Sequence, residues 1–215
     1  THARSVGVPA LLKLDFQERA ERLKALAKFI GERKEELYAV SAHTGATRAD
    51  GWIDIEGGTG TLFAYVGTGG NELPSGNVVH EGPAMALSKK GGFAGTHILV
   101  PRRGVAVHIN AFNFPVWGLL EKFAPTFLAG MPTSYLTERC VRLMLESGLL
   151  PAGALQLVIG GTGDLLDRLV ESDVVTFTGS ADTAMKLRTN ANLLRRSGPF
   201  NAEADSLNCA ILAPD

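Results

Sequence analysis

Three stretches of the chain place reactive or anion-binding groups where strands should give way to helices. Asn113 lies in Asn110-Ala111-Phe112-Asn113-Phe114-Pro115, after a short apolar run and before a helical pattern. A side-chain amide at such a junction can donate to a developing oxyanion; it can also simply cap the next helix or satisfy a turn. Phe177-Thr178-Gly179-Ser180 is a second junction of this kind. Gly179 admits close backbone approach, and Ser180 can cap a helix whose free N–H groups and positive dipole end suit a phosphate; an ordinary N-cap is the plainer reading. Glu203 sits among small residues in Phe200-Asn201-Ala202-Glu203-Ala204-Asp205-Ser206-Leu207-Asn208, just ahead of an apolar run. A carboxylate at the carboxyl edge of a sheet can serve as a general base, or it can be a solvated loop acid.

The other reactive side chains read as structural. Cys209 falls inside the run Asn208-Cys209-Ala210-Ile211-Leu212 and Cys140 on a helix with Leu143 and Met144, contexts in which cysteine acts as a small hydrophobe. His108 is internal to Val105–Ile109 and reads as a packed core residue. His2, His43, His80 and His97 show no metal-ligand spacing, so no metal site is expected.

The elements that must position these groups follow from periodicity. Asp15-Phe16-Gln17-Glu18 has the form of a capping box, and Ala20, Leu23, Leu26, Ala27 and Ile30 recur at helical spacing. Gly31 interrupts the pattern, and a second helix runs from Glu35 to Ala42, so the first 65 or so residues are predominantly helical by this periodicity. Glu56-Gly57-Gly58-Thr59-Gly60, after Trp52–Ile55, is either a strand with a phosphate loop or a glycine-containing helix continuing through Leu62, Phe63 and Tyr65; the helix is favoured because no βαβ unit flanks the glycines. Residues 67–83 read as a surface connection. Ala86–Ser88 and Phe93–Val100 flank Lys89-Lys90-Gly91-Gly92 as a β-hairpin. From Gly104 onward strands alternate with helices: strand Val105–Ile109, helix Val116–Ala129, helix Ser134–Leu149, strand Leu155–Ile159, a turn at Gly160-Gly161-Thr162-Gly163, a short helix Leu165–Val170, strand Val174–Thr178, helix Ser180–Leu187 and strand Ser206–Leu212. That order implies an α/β fold, a parallel sheet covered on both faces.

Composition narrows the class. Of 215 residues, 45% are hydrophobic and 20% charged, as in ordinary globular proteins. With 21 basic and 22 acidic residues the formal net charge is -1, which argues against a nucleic-acid surface. No apolar run is long enough for a membrane span, and two cysteines in apolar company fit a reducing cytoplasm. Both ends of the chain look cut.

Taken together, the three stretches are more specific than any one alone. Val105–Pro115 resembles the Asn-Phe-Pro segment of aldehyde dehydrogenases, Val175–Ser180 their cofactor segment, and Glu203 stands where the family carries its general-base glutamate. The wording of Ile109–Pro115, Thr44–Asp50 and Glu203–Asn208 is similar to the semialdehyde dehydrogenases of aerobic phenylacetate and benzoate breakdown, which include a form fused to a ring-opening hydratase (oxepin-CoA hydrolase) domain. The resemblance covers essentially all 215 residues and implies a Rossmann-like parallel sheet with N-terminal helices and a β-hairpin oligomerisation extension. It divides the chain into a helical part of the cofactor domain (1–83), the hairpin (84–103) and the cofactor-binding core (104–215). It implies NADP, or NAD, as cofactor, a small-molecule aldehyde as substrate, CoA-linked by the closer wording, and a homo-oligomer. Asn113 would donate to the oxyanion and Glu203 would activate water; Ala111, Phe112 and Phe177–Ser180 would line the cofactor, with Gly160, Gly161 and Gly163 bounding its adenosine side. The family's nucleophilic cysteine would lie beyond Asp215. A strand bearing a Lys-Pro pair is expected after the helix ending at Ala129, yet Gly130-Met131-Pro132 runs straight into Thr133-Ser134-Tyr135. Residues dropped between Pro132 and Thr133 would open a gap in the sheet and remove the residues that decide NAD against NADP. The rival reading is a catalytically incomplete fragment or pseudoenzyme that binds nucleotide or supports assembly.

Overall fold

The computed structural model describes residues 2–111, 113–129, 133–135, 138–158 and 161–205. The N-terminal third is helical: a π-type turn Ala3–Gly7 leads into α1 (Val8–Leu12), α2 (Phe16–Glu32) and α3 (Lys34–Ala42), then α4 (Arg48–Trp52) and α5 (Gly58–Gly67), joined by a π-type stretch Ile53–Gly57 and followed by another, Thr68–Glu72. The capping box at Asp15 is present, its side chain accepting from Glu18 N while the Glu18 carboxylate accepts from Asp15 N. Gly31 does not interrupt α2, which continues through it to Glu32, since the backbone there remains helical and no side chain is needed for packing. The glycines after Ile55 lie in helix, and no strand or phosphate loop forms among them.

Residues 79–99 form the hairpin. β1 (Val79–His80) pairs antiparallel with β4 (Ile98–Leu99), and β2 (Met85–Ala86) pairs with β3 (Ala94–Gly95). The connection expected over 67–83 is therefore only partly irregular.

The second half is the parallel sheet, in the order β7-β6-β5-β8-β9. Its strands are β5 (Ala106–Ile109), β6 (Thr133–Tyr135), β7 (Leu155–Leu157), β8 (Val174–Gly179) and β9 (Phe200–Ala204); its helices are α6 (Trp117–Leu128), α7 (Glu138–Glu146), α8 (Ala181–Arg188) and α9 (Ala191–Arg196). Two expectations change here. Thr133–Tyr135 is not the start of a helix: it is a short strand between β5 and β7, parallel to both, and α7 begins only at Glu138. Two strands flanking an empty slot would leave backbone N–H and C=O groups unpaired in the interior, and Thr and Tyr take extended backbone readily. The sheet therefore has no gap at this point; the join between Pro132 and Thr133 lies outside the described residues. Glu203 is not in a loop ahead of the final strand. It lies within β9, which extends the sheet along the free edge of β8, with Thr178 opposite Glu203 and Gly179 opposite Ala204. The run Ser206–Leu212 lies outside the described residues, and α9 is a helix beyond those the periodicity predicts.

A core covers each face. On one, Leu23, Leu26 and Ile30 of α2 meet Leu62 of α5, Leu119, Phe123 and Phe127 of α6, and Cys140 and Met144 of α7. On the other, Val107 and Val175 meet Leu166, Leu169 and Leu193. At the amino edge of the sheet the buried Asp173 accepts from Val105 N (2.9 Å) and Val170 N (2.8 Å) and pairs with Arg4, tying the N-terminal segment to the starts of β5 and β8.

Candidate active site

At the carboxyl edge of β5, β8 and β9 the chain forms a cleft of about 330 Å³ lined by Ile53, Ala111, Asn113, Phe114, Trp117, Glu121, Thr178 and Glu203. Ligands of open α/β sheets bind outside these strand ends. Strand alternation explains the membership. Val175 and Phe177 are buried, while Thr176 and Thr178 take the opposite face, toward α6. Parallel register puts Glu203 beside Thr178 on that face, and Thr178 Oγ1 donates to Glu203 Oε2 at 3.4 Å. Asn113 comes from the turn between β5 and α6 and lines the same cleft as Glu203. Asn113 and Glu203 are both exposed, so water reaches the carboxylate directly.

Beneath the cleft the sheet is buried. His108 is 3% exposed, with Nδ1 against Thr176 Oγ1 (2.5 Å) and Nε2 against Thr126 Oγ1 (3.2 Å). Burial, with the Lys122 ammonium nearby, lowers its pKa to about 3, so it is a neutral core residue at physiological pH. Cys140 is fully buried, and burial beside the negative Asp54 raises its thiol to about 12, which suppresses the reactive thiolate. Cys209 lies outside the described residues. Among the described residues no group of three or more side chains converges as a metal site, and no helix is long and apolar enough to cross a membrane.

The remaining predicted positions are distributed unevenly. Ala111 and Thr178 line the cleft with Asn113 and Glu203. Ser180 caps α8, accepting from Thr183 N at 3.3 Å. Phe177 is 4% exposed, and its ring packs beneath Gly179, so it supports the junction from below rather than opening to the cleft. Gly161 and Gly163 follow β7 at the far edge of the sheet, away from the cleft lining, with open space around them. Phe112 and Gly160 lie outside the described residues. Trp117, Glu121 and Ile53 were not singled out in the sequence. Trp117 and Glu121 are four residues apart on one face of α6, and Trp117 Nε1 donates to Glu121 Oε2 at 2.9 Å, a pairing that helical spacing within α6 makes legible.

The first turn of α8 already holds an anion. Asp205, with φ of 54°, folds back so that its backbone N–H donates to Gly179 O (3.3 Å) and its carboxylate accepts from Ala181 N (3.2 Å). A position that takes a carboxylate on a helix N–H, beside a residue with no side chain, fits a dinucleotide phosphate once Asp205 yields it.

The sequence model of the aldehyde dehydrogenase family matches residues 1–215. The chain is 46% identical over 222 aligned residues to a 3,4-dehydroadipyl-CoA semialdehyde dehydrogenase of Aromatoleum evansii, an alignment covering 99% of this chain and 43% of that protein. It is 29% identical to an N-succinylglutamate 5-semialdehyde dehydrogenase of Escherichia coli, over 84% of this chain and 36% of the relative. The chain thus spans less than half the length of these curated relatives. Among solved structures, betaine aldehyde dehydrogenase of Staphylococcus aureus in complex with NAD+ superposes with a TM-score of 0.76 at 19% identity, over 94% of this chain and 42% of that one, which shows a shared fold. The chain belongs to the aldehyde dehydrogenase family.

Proposed function

We propose that this chain is the cofactor-binding part of an NAD(P)-dependent dehydrogenase that oxidises a CoA-linked aliphatic semialdehyde to its acid during aerobic breakdown of aromatic compounds, in the phenylacetate or benzoate route. The observation that carries the reading is the shared cleft of Asn113 and Glu203, also lined by Thr178 of the strand that leads into the Ser180 cap of α8. The 46% identity to a CoA-semialdehyde dehydrogenase supports the substrate class.

In this reading the Asn113 amide donates to the oxyanion left when a thiolate adds to the aldehyde carbonyl. Glu203 takes a proton from the water that hydrolyses the resulting thioester, and its open position gives that water access. Thr178, hydrogen-bonded to Glu203, keeps the carboxylate turned into the cleft. Ser180, Gly179 and the N–H groups opening α8 receive the dinucleotide phosphates, with Ala111 and Phe112 on the nicotinamide side and Gly160, Gly161 and Gly163 toward the adenosine. A nicotinamide nucleotide held there, NADP by preference, would supply the hydride acceptor for oxidation of the aldehyde. Cys140 cannot be the nucleophile, being buried with a raised pKa, and the thiol is assigned to sequence beyond Asp215. Residues 1–83 serve as a helical part of the cofactor domain, 84–103 as the hairpin and 104–215 as its core. Met85, Leu87, Phe93, Ile98 and Leu99 stand exposed along the hairpin, which supports a homo-oligomer formed there. A cytoplasmic setting and a fused hydratase domain complete the proposal.

A second reading, a nucleotide-binding protein without turnover, draws on Asp205 occupying the α8 N–H. The test is NADPH or NADH formation by the full-length protein given 3,4-dehydroadipyl-CoA semialdehyde. Aldehyde-dependent formation, faster with NADP, is expected. Nucleotide binding with no formation from any aldehyde would establish the second reading instead.

A further inference from the structure

We propose that Asp54 is a positioning residue for the oxyanion amide: by holding the first N–H groups of α6 it fixes the Asn113–Pro115 turn and so the direction of the Asn113 carboxamide. The proposal rests on the role given to Asn113 above. Asp54 is 5% exposed. Its carboxylate accepts from Trp117 N at 2.8 Å and from Val116 N at 3.0 and 3.3 Å. A buried carboxylate is retained where it is fully hydrogen-bonded, and here the donors are the otherwise unsatisfied N–H groups of a helix start. Burial raises the pKa of this carboxyl, and the Trp117 and Val116 N–H groups oppose that shift.

The surroundings leave the turn little freedom. Asp54 lies in the wide stretch Ile53–Gly57, whose neighbour Ile53 lines the cleft. One turn further, a Cβ on Gly57 would lie 2.2 Å from the Trp117 ring, and one on Gly58 would lie 2.9 Å from Trp117 Cα. The glycine cluster that resembles a phosphate loop in sequence thus lets two helices approach until one carboxylate spans both N–H groups. On the cleft side, Phe114 O accepts from Gly118 N at 2.9 Å, and Pro115 holds its own φ. Asp54 accordingly links the helical N-terminal part to the β5–α6 turn at the carboxyl edge of the sheet.

The test uses the full-length protein with Asp54→Ala, Asp54→Asn, Asn113→Ala and the Asp54→Ala/Asn113→Ala double variant. In D54A, kcat should fall about ten- to hundredfold, as for a reacting group displaced by about an ångström, with KM for the nucleotide unchanged. D54N keeps one acceptor and should lie between. In the N113A background D54A should change kcat by less than about twofold, because the group it orients is gone. Hydrogen exchange should quicken at the amides of Val116 and Trp117 while α2 stays protected. Equal losses in both backgrounds, or unchanged exchange at those two amides, would overturn the proposal. If D54A does not fold, D54N and Gly58→Ala carry the same comparison. If the wild type makes no NAD(P)H, the functional reading fails, and the exchange measurement alone decides whether Asp54 fixes the turn.

Discussion

The two strand-to-helix junctions at the carboxyl edge of the sheet are built in opposite ways. Between β5 and α6 the Val116 and Trp117 N–H groups are held by the 5%-exposed carboxylate of Asp54, with Gly57 and Gly58 packed against Trp117. Between β8 and α8 the helix start is exposed, capped locally by Ser180, with the Ala181 N–H held by Asp205 at 3.2 Å. A junction whose first donors are held by a buried carboxylate has none of those donors left for a ligand. A junction whose donors face solvent can exchange its anion for another. The first suits Asn113 as a fixed donor, and the second suits a nucleotide that must enter and leave.

The contrast can be broken at several points. The largest effect is expected at Asn113. Asn113→Ala should lower kcat about a hundred- to thousandfold, the typical loss for one oxyanion donor, with the melting temperature unchanged because the side chain is exposed. A comparable loss from Ser180→Ala would erase the distinction between the junctions. Next, the Asp205→Asn variant should bind NADP more tightly, by up to about fivefold, because an anionic competitor at the α8 N–H loses its charge, an interaction with the helix end of about 1 kcal/mol; titration calorimetry reads this directly. Acid stability should separate buried from open groups by a similar amount. His108 has a folded pKa of about 3 against 6.5 unfolded, so its contribution is complete above pH 6.5 and is lost as the pH falls toward 3. At pH 5 the loss amounts to about 2 kcal/mol, and His108→Gln should remove that slope in urea unfolding. The smallest change belongs to Ser180→Ala, which should cost about 1 kcal/mol as a lost N-cap and weaken nucleotide binding rather than kcat.

Much of this architecture is legible in the sequence because it is local. The capping box at Asp15, the apolar spacing through Ile30 and the β-branched runs of β5 and β8 each declare their element within a few residues. The misreadings come from pairing. Thr133–Tyr135 becomes strand because two neighbours lie either side of it, and Phe200–Ala204 becomes strand because β8 has a free edge. Neither cause can be seen in the segment itself. At the cleft, Asn113 and Glu203 stand out by residue type and position, whereas Asp54 does not. It lies in the middle of a helical stretch, 62 residues before the N–H group of Val116 that it holds, and only the packing of that stretch on α6 gives it a role. Gly57 and Gly58 mislead for the same reason, since a glycine needed for helix contact and one needed for a phosphate look alike in a sequence.

In the proposed function Asn113 and Glu203 act at one cleft but at successive moments, the amide before the hydrogen leaves the aldehyde and the carboxylate after. Rapid-mixing measurement of NADPH formation by full-length Glu203→Gln tests this most directly. A burst approaching one NADPH per site followed by a steady rate lowered at least about a hundredfold is expected, with Asn113→Ala losing the burst itself. Equal loss of burst and steady rate in Glu203→Gln, or an unaltered steady rate, would contradict it.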